Sequence, residues 1–243
     1  MNRPRTFSTH AMPDTTSHDA ARPDVMPIDR EAWAKELHLS NFVNSYYQYR
    51  DVVKWVGREP SVLIIGPGQG LDTAVFRWRG CRVTTFDIDQ TFRPDVMGSC
   101  HDMPMFADRQ FDVVIASHVL EHLPLAYLDA AIAEIARVGR FALVYLPVAG
   151  RSSLLRLAPG FLHIDWSFVF DFRRFWHKPD GLRANLCGGQ HYWEVGYRGF
   201  DPTALKQRFR RQFTVLDAYR NKDWLPSYNF VLRSNRSPAE QPA

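Results

Sequence analysis

The segment from Ser61 to Gly70 reads SVLIIGPGQG and decides the fold of the chain. Its first half is a short apolar, partly β-branched run, which is typical of a strand buried on both faces of a parallel sheet. Three glycines follow at alternate positions, and Leu71 to Trp78 then has the spacing of a helix. Residues without a Cβ atom allow a sharp turn and a close approach to a ligand, beside the free N–H groups of the helix N-terminus. The segment predicts a strand, a glycine-rich turn and a helix, although such turns also occur without a ligand.

Two later segments extend this pattern. Arg82 to Asp89 reads RVTTFDID, a strand that ends in an acid, and Asp87 lies 21 positions after Gly66. A carboxylate at this distance, at the tip of the neighbouring strand, can accept charge-assisted hydrogen bonds from two ribose hydroxyls. Phe111 to His122 reads FDVVIASHVLEH and predicts a strand that runs into a short polar loop.

Together, these segments resemble the class I S-adenosylmethionine-dependent methyltransferases. More narrowly, they resemble the branch with a V-L-E-H-L-P signature after the fourth strand, here Val119 to Pro124, and the resemblance covers roughly Ser61 to Pro147. It implies an α/β fold, a Rossmann-like three-layer sandwich with a mostly parallel seven-stranded sheet, and S-adenosyl-L-methionine as the cofactor. A nicotinamide-dependent oxidoreductase is disfavoured because G-x-G-x-G replaces the G-x-G-x-x-G of dinucleotide-binding proteins.

The resemblance also implies which residues contact the cofactor. They are those of the glycine-rich loop, the acid after the second strand and the end of the fourth strand, with one of two pairs beside the adenine. The candidates are Gly66, Pro67, Gly68, Gln69, Gly70, Asp87, Ile88 and Ser117, with either Ser99 and Cys100 or Asp102 and Met103. The family usually has an acid two residues before the first glycine, where this chain has Ile64. We therefore expect weaker or rerouted contacts to the methionine amino group.

Candidate catalytic residues follow the fourth strand. Methyl transfer from a sulfonium is an in-line displacement that depends on alignment, and an oxygen or nitrogen acceptor must also lose a proton. His118, Glu121 and His122 stand at i, i+3 and i+4, so they share a face if a helix begins there. His118 is a candidate base, the three residues could instead bind a divalent metal, or they could only brace the loop. His191 and Glu194 are second-choice bases, and a reaction without a base stays open. We expect His118, His122 and His191 to be catalytic, without a resident metal.

Composition bounds the class of protein. The length of 243 residues and the hydrophobic content of 45% suit one α/β domain with additions. A net charge of +4 permits an anionic partner without requiring one. Three distant cysteines without a C-x-x-C motif predict neither disulfides nor a zinc knuckle, which favours a cytoplasmic location. We expect no secretory signal and no transmembrane segment, since no apolar run reaches about 18 residues.

The pattern also predicts the organisation of the chain. We expect a disordered tail at 1–27, a methyltransferase domain at 28–233 and a second tail at 234–243. A helix over 28–56 would begin at Asp29 and pack an apolar stripe on the sheet, and one of its tyrosines could cover the cofactor. The stripe consists of Phe42, Tyr46, Tyr49 and Val53, and the candidate lid residues are Tyr46, Tyr47 and Tyr49. Further along, a helix over 125–138, a short link over 138–140 and a strand over 141–147 are predicted.

An insertion at about 148–198 separates the fifth and sixth strands of the predicted sheet. It is aromatic and basic, with twelve Lys or Arg against six Asp or Glu between Arg151 and Arg220. This composition fits a substrate cap, a membrane-surface patch or a nucleic-acid face, and equally a self-packed subdomain with solvated charges. Residues 190–199 read QHYWEVGYRG, a cluster too polar for plain core and too aromatic for a plain loop.

The sequence thus predicts a methyltransferase that acts on an oxygen or nitrogen of a small-molecule, glycan- or lipid-linked acceptor. Peripheral membrane contact is compatible with it. The alternatives are an RNA or protein methyltransferase, whose binding would weaken steeply with salt, and a catalytically silent binding protein with the same fold.

Overall fold

The computed structural model describes residues 38–157, 166–172 and 191–236. In chain order its elements are α1 (Leu39–Trp55), β1 (Ser61–Ile65), α2 (Leu71–Trp78), β2 (Arg82–Asp87), β3 (Val96–Met97), β4 (Phe111–Ser117), α3 (Leu125–Val138), β5 (Gly139–Pro147), β6 (Arg151–Leu157), β7 (Trp166–Phe172), α4 (Pro202–Phe209), β8 (Phe213–Arg220) and β9 (Ser227–Ser234). The expected tail at 1–27, the helix start at Asp29, much of the expected insertion and residues 237–243 lie outside the described residues.

Seven strands form one sheet in the order β3-β2-β1-β4-β5-β9-β8. The pairs from β3 to β5 are parallel, whereas β9 is antiparallel to both β5 and β8. This is the mostly parallel, seven-stranded α/β sheet that the sequence predicts. Because β1 lies near the centre between β2 and β4, the loops after these three strands meet at one edge of the sheet.

The side chains of β1 divide the core into two layers. Leu63 and Ile65 join the cluster that contains the buried faces of α3 and α4, while Val62 and Ile64 join the cluster that contains residues of α1 and α2. All four are at most 3% exposed. Alternate side chains of a strand point to opposite faces of the sheet, so this apolar run requires a helical layer on each side. The result is the expected three-layer sandwich.

The described part of the insertion forms a separate hairpin. β6 and β7 pair antiparallel in a two-stranded sheet between β5 and β8 in the chain. Residues 191–200 then return to the main body, where Trp193 and Val195 are fully buried in the larger core cluster. Backbone hydrogen bonds fix this return: the Val195 N–H donates to Pro147 O at 2.8 Å, the Ala149 N–H to Val195 O at 2.9 Å and the Tyr192 N–H to Glu121 O at 2.8 Å. The QHYWEVGYRG segment therefore contributes to the core as well as to the protein surface.

The buried face of α1 differs from the predicted stripe. Phe42 is 52% exposed and Tyr46 is 63% exposed. The residues that α1 buries are Ser45, Tyr47, Gln48, Asp51 and Val52. The helix is turned relative to the apolar pattern because Asp51 has partners on the sheet, which hydrophobic periodicity alone does not reveal.

The predicted link over 138–140 is also wrong. Gly139 and Arg140 belong to β5, and Gly139 pairs with Phe111 at the start of β4. An ideal Cβ at position 139 would lie 2.6 Å from Val114 Cγ2, so glycine allows α3 to pass directly into the strand. The start of α4 is capped by the Asp201 carboxylate, which accepts from the N–H groups of Thr203 and Ala204.

A buried carboxylate fastens α1 to the sheet. Asp51 is 1% exposed, and its Oδ2 accepts hydrogen bonds from the hydroxyls of Tyr145 at 2.8 Å and Tyr219 at 2.6 Å. Its Oδ1 accepts from the guanidinium of Arg50 at 2.6 Å. Burial holds the pKa of Tyr145 well above its usual range, with the Asp51 charge adding to the effect, so the hydroxyl stays a donor. The network joins α1, β5 and β8.

We expect Asp51→Ala to lower the free energy of unfolding by about 3 kcal/mol, because it leaves a buried hydroxyl without its acceptor. Tyr145→Phe is the matched control: it removes one donor but leaves Asp51 with its other partners, and the expected loss is about 1 kcal/mol. Urea unfolding followed by circular dichroism measures both. Equal, small losses would show that the network does not stabilise the fold.

Candidate active site

Two cavities open at the edge of the sheet where β1, β2 and β4 end. The first, the β2 cavity, measures about 140 Å³ and is lined by residues that follow β1, β2, β3 and β4. The second, the α1 cavity, measures about 420 Å³ and is lined by α1, the glycine-rich loop and residues near His191 and Trp224. Both cavities share Gly66, Gly68 and His118 in their linings. A ligand that occupies both must therefore pass these three residues.

The glycine-rich loop has the backbone that the sequence predicts. Gly66, Gly68 and Gly70 have φ values of 68°, 50° and 77°, in the left-handed region that favours glycine. The Gly66 N–H donates to Phe86 O at 2.9 Å, which ties the turn to β2. An ideal Cβ at position 66 would lie 2.6 Å from Val119 Cγ2. The first glycine is thus required by both its conformation and the loop after β4.

Most of the predicted cofactor-binding residues line the two cavities. The β2 cavity contains Gly66, Gly68, Asp87, Ile88, Ser99 and Cys100, and the α1 cavity contains Gly66, Pro67, Gly68, Gln69, Gly70 and Ser117. The second adenine-side pair lies apart from both linings. Asp102 is exposed, and Met103 is fully buried in the core with its N–H donating to Glu134 Oε2 at 2.8 Å. Of the two alternatives left open by the sequence, the structure brings only Ser99 and Cys100 to the cavity.

Three polar residues of the α1 cavity were not among the predicted site residues. Asn44 and Gln48 come from α1, and Asp72 from the first turn of α2. Asn44 Oδ1 and Gln48 Oε1 are buried acceptors with no hydrogen-bond partner among the described residues. Burial raises the pKa of Asp72 to about 6, although the Thr73 N–H donates to its Oδ1 at 2.7 Å. The sequence does contain a signal for two of these residues: Asn44 and Gln48 are four positions apart, so their amides share one face of α1.

The strand before the glycines and the two helices differ in the polar groups that they bring to this region. Ile64 is 1% exposed and packs in the apolar cluster beneath α1 and α2, so β1 offers no polar side chain there. The polar groups of the α1 cavity come instead from α1 and α2. They face a part of the cavity where a cationic group would find acceptors.

The tyrosines of α1 are not placed as a lid in the described structure. Tyr46 and Tyr49 line a separate groove between α1 and α2, which shares Ser45 and Leu71 with the α1 cavity, and neither tyrosine lines the α1 or the β2 cavity. The Tyr47 hydroxyl donates to Asp223 Oδ2 at 2.6 Å. The part of α1 that reaches the α1 cavity is polar rather than aromatic.

His118 occupies the junction of the two cavities in a constrained backbone conformation. Its φ is 56°, unusual for a residue with a side chain, and its N–H donates to Tyr145 O at 2.8 Å. Burial lowers the pKa of His118 to about 4, with His191 and His122 adding to the effect, so the ring is neutral at pH 7. Its Nε2 is buried and has no hydrogen-bond partner among the described residues. Such strained, desolvated residues occur mainly at functional sites.

The three predicted catalytic histidines surround Glu121. The Leu120–His122 segment is a 3₁₀ turn rather than an α-helix, so the proximity of these groups does not come from a shared helical face. His118 Nδ1 lies 3.6 Å and His122 Nε2 lies 3.9 Å from Glu121 Oε1. The rings of His122 and His191 are 4.8 Å apart between centroids. The return segment after the insertion therefore brings His191 to the loop after β4.

Glu121 is the buried centre of this cluster. It is 0% exposed, and neither carboxylate oxygen has a hydrogen-bond partner among the described residues. Burial raises its pKa to about 7. The neighbouring His191 is held by a hydrogen bond of 2.7 Å between its Nδ1 and Glu194 Oε1. His191 and Glu194, expected as second-choice bases, thus form a buried pair next to Glu121.

The comparisons with known proteins agree with this fold. The family model described as a methyltransferase domain matches residues 63–141. A protein from Pyrococcus horikoshii is 13% identical, covers 83% of this chain and 93% of its own length, and has a TM-score of 0.52. The N1-methyltransferase of 1,6-didemethyltoxoflavin from Burkholderia thailandensis is 20% identical over 81% of this chain and 87% of its own, with a TM-score of 0.47. A glycopeptide N-methyltransferase crystallised with S-adenosylhomocysteine is 14% identical, covers 77% of this chain and 88% of its own length, and has a TM-score of 0.49. No curated protein sequence matches the chain.

The matched domain spans β1 to the start of β5, which contains the glycine-rich loop, Asp87 and the V-L-E-H-L-P segment. The fold and this match define a methyltransferase. Residues 63–141 carry a methyltransferase domain, which agrees with the resemblance to the class I S-adenosylmethionine-dependent methyltransferases and with S-adenosyl-L-methionine as the methyl donor.

Gly66→Ala should lower both the stability and the affinity for S-adenosylhomocysteine, because the new Cβ meets Val119 while φ is strained by about 1–2 kcal/mol. Gly70→Ala is the matched control for stability, since its φ is equally left-handed but nothing lies within 4 Å of an ideal Cβ. The double variant Gly66→Ala/Val119→Ala should recover the part of the loss that comes from the contact. Thermal unfolding and calorimetric titration measure these effects. If Gly66→Ala and Gly70→Ala are equally destabilised, the contact with Val119 does not contribute to the loss of stability.

Proposed function

We propose that the chain transfers a methyl group from S-adenosylmethionine to an oxygen or nitrogen of a small-molecule, glycan- or lipid-linked acceptor. The observation that carries this proposal is the junction of the two cavities at His118, where a buried, unpartnered ring nitrogen lies beside the glycine-rich loop. The sulfonium of the bound donor supplies an electrophilic methyl group. The residues of the chain have to bind the donor, align the acceptor and receive a proton.

In this proposal the β2 cavity holds the adenosine half of the donor. Asp87 at the end of β2 would accept hydrogen bonds from the ribose hydroxyls, as its position after the second strand predicts. Ser99 and Cys100 would flank the adenine, together with Ile88 on the apolar wall. The lining of this cavity is mostly apolar, which suits a flat heterocycle.

The α1 cavity would hold the amino-acid half. Its orphaned acceptors, Asn44 Oδ1 and Gln48 Oε1, fit the donors of an ammonium group, and Asp72 would supply a negative charge. Buried polar atoms without partners are costly in the free protein and become satisfied when such a group binds. The residues present therefore fit the cofactor, with recognition of the amino group moved from β1 to α1 and α2.

His118 would receive the acceptor proton. Its ring is neutral at pH 7, and its Nε2 faces no other described partner, so it can accept a proton from a hydroxyl or amine placed at the junction. The Tyr145 carbonyl holds its backbone in place through the 2.8 Å hydrogen bond. This role requires only that the acceptor reach the shared lining of the two cavities.

The part of the α1 cavity that the amino-acid half of the donor would leave open supports a small acceptor group. A volume of about 420 Å³ is in the range of small-molecule sites, and its walls come from α1, the loop after β4 and the segments around His191 and Trp224. An extended nucleic-acid groove would instead present a row of cations along an open surface. For this reason a small or linked acceptor is favoured over RNA.

Binding of S-adenosylhomocysteine should tighten as the pH rises from 5 to 7.5. With its pKa raised to about 6, Asp72 is mostly protonated at the lower pH and mostly ionised at the higher one, where it attracts the ligand's ammonium group. The expected gain in affinity is up to about tenfold. Asp72→Asn should bind more weakly at pH 7.5 and lose this pH dependence, which separates Asp72 from the histidines of the same cavity. A pH profile unchanged in Asp72→Asn would remove Asp72 from the amino-acid subsite.

The function is tested by following a labelled methyl group into fractions of a cell extract. Label in the small-molecule or lipid fraction, with transfer insensitive to nuclease and protease treatment, is the expected result. Label in RNA or protein, with binding that weakens steeply with salt, would replace the proposed acceptor class. No transfer despite cofactor binding by calorimetry would favour the catalytically silent alternative.

His118→Asn should lower the turnover by about 10²-fold or more while leaving the affinity for S-adenosylhomocysteine within a factor of about three, if His118 receives the proton. His101→Asn is the control for loss of an imidazole, because this half-buried histidine stacks on Tyr127 and lines neither cavity. Since its Nδ1 lies 2.6 Å from Ser99 Oγ, its affinity for S-adenosylhomocysteine is measured as well. Turnover equal to that of the wild type in His118→Asn would return His118 to a structural role.

A further inference from the structure

The Glu121 carboxylate is buried without a hydrogen-bond donor in the described part of the chain, which is unusual for a residue with a structural role alone. It is 0% exposed, and neither of its oxygens has a hydrogen-bond partner among the described residues. A buried carboxylate without a donor or a cation is among the costliest groups in a protein interior. Its neighbours are imidazole rings, each of which can offer a nitrogen lone pair.

The ligand geometry is close to that of a metal site. One oxygen of Glu121 and one ring nitrogen each of His122 and His191 all lie within 4.8 Å of one another. In a tetrahedral site with metal–ligand bonds near 2.1 Å, ligand atoms stand roughly 3.4 Å apart. Small side-chain rotations would close the difference, since the Glu121 and His122 atoms are already 3.9 Å apart.

The surroundings of His191 resemble the outer shell of a metal centre. Its Nδ1 is hydrogen-bonded to Glu194 Oε1 at 2.7 Å, and metal-ligating histidines commonly carry a carboxylate on their second nitrogen. The hydrogen bond from the Tyr192 N–H to Glu121 O fixes the segment that carries His191 against the segment that carries Glu121. The ligands therefore come from two parts of the chain that are already joined.

We propose that Glu121, His122 and His191 bind a divalent transition metal, with zinc the preferred ion. Two imidazoles and one carboxylate form a donor set that suits zinc and leaves a fourth position open. The site lies next to His118, between the β2 cavity and the α1 cavity. This differs from the sequence-based expectation of no metal, and from the alternative set of His118, Glu121 and His122, because His191 comes from beyond the insertion.

The open position gives the metal a role in choosing the acceptor. An acceptor with an oxygen donor, such as a hydroxyl or a carboxylate, would bind there and be held beside His118. This role rests on the proposed function, whereas the metal site itself does not. Calorimetry with S-adenosylhomocysteine on the metal-free protein therefore distinguishes a failure of the metal site from a failure of the methyltransferase assignment.

The test uses the full chain, stripped with a chelator and titrated with ZnCl₂, followed by elemental analysis after desalting. We expect about one zinc per chain, a zinc-dependent rise in the melting temperature, and visible absorption bands of a low-symmetry site when Co²⁺ replaces zinc. Glu121→Gln and His191→Asn should lose all three, and Glu194→Gln should weaken zinc binding by about 10–100-fold.

His101→Asn is the matched control and should keep the stoichiometry, because His101 lies outside the cluster. Circular dichroism confirms that each variant is folded. Glu121→Gln should fold well without metal, since it replaces a buried, unpartnered charge by a neutral group of the same shape. Absence of zinc in the wild type, or an equal zinc content in Glu121→Gln, would overturn the proposal.

Discussion

The architecture of the site depends on the close contact between the ends of β1 and β4. At Gly66 the chain leaves β1 so near to Val119 that a Cβ atom would overlap the valine side chain. His118, one residue before Val119, has a left-handed conformation and stands where the two cavities meet. The missing side chain of Gly66 thus allows the glycine-rich loop and the loop that carries His118 to lie against each other.

A second constraint acts from the opposite layer. Asp51 holds α1 through two tyrosine hydroxyls on the sheet, and the same helix carries Asn44 and Gln48 into the α1 cavity. In this chain β1 carries the apolar residue Ile64 two positions before the first glycine, and the polar side chains of the α1 cavity come from α1 and α2. In the proposed function, the orientation of α1 and recognition of the cofactor are therefore linked.

The sequence allows much of the fold to be predicted, for physical reasons. The run from Val62 to Ile65, the three glycines and the acid at Asp87 are local patterns, and local patterns specify a strand, a turn and a strand end. The buried face of α3 follows from simple helical periodicity. The face of α1 does not, because hydrogen bonds to residues nearly a hundred or more positions away outweigh its apolar stripe.

The candidate site shows the same division. His118 and His122 are close in sequence, and the glycine-rich loop follows the strand next to theirs. The sequence therefore predicts that they lie at one site. The contact of His191 with Glu121 depends on a segment that returns after the insertion, and no spacing rule relates positions 121 and 191. Asn44 and Asp72 were not predicted, because their proposed contact with the donor's ammonium group depends on their burial in the α1 cavity. Residue type alone does not indicate burial.

The return segment has a consequence for how the protein can diversify. Residues 148–149 and 192–195 are joined to one another, to Pro147 and to Glu121 by backbone hydrogen bonds, and the side chains of Trp193 and Val195 also pack in the core. Backbone hydrogen bonds place few demands on side-chain identity, so the stretch of chain between these two anchors can change in length and composition without displacing His191. Exchange of this stretch between related proteins can therefore leave the glycine-rich loop and the loop after β4 in place.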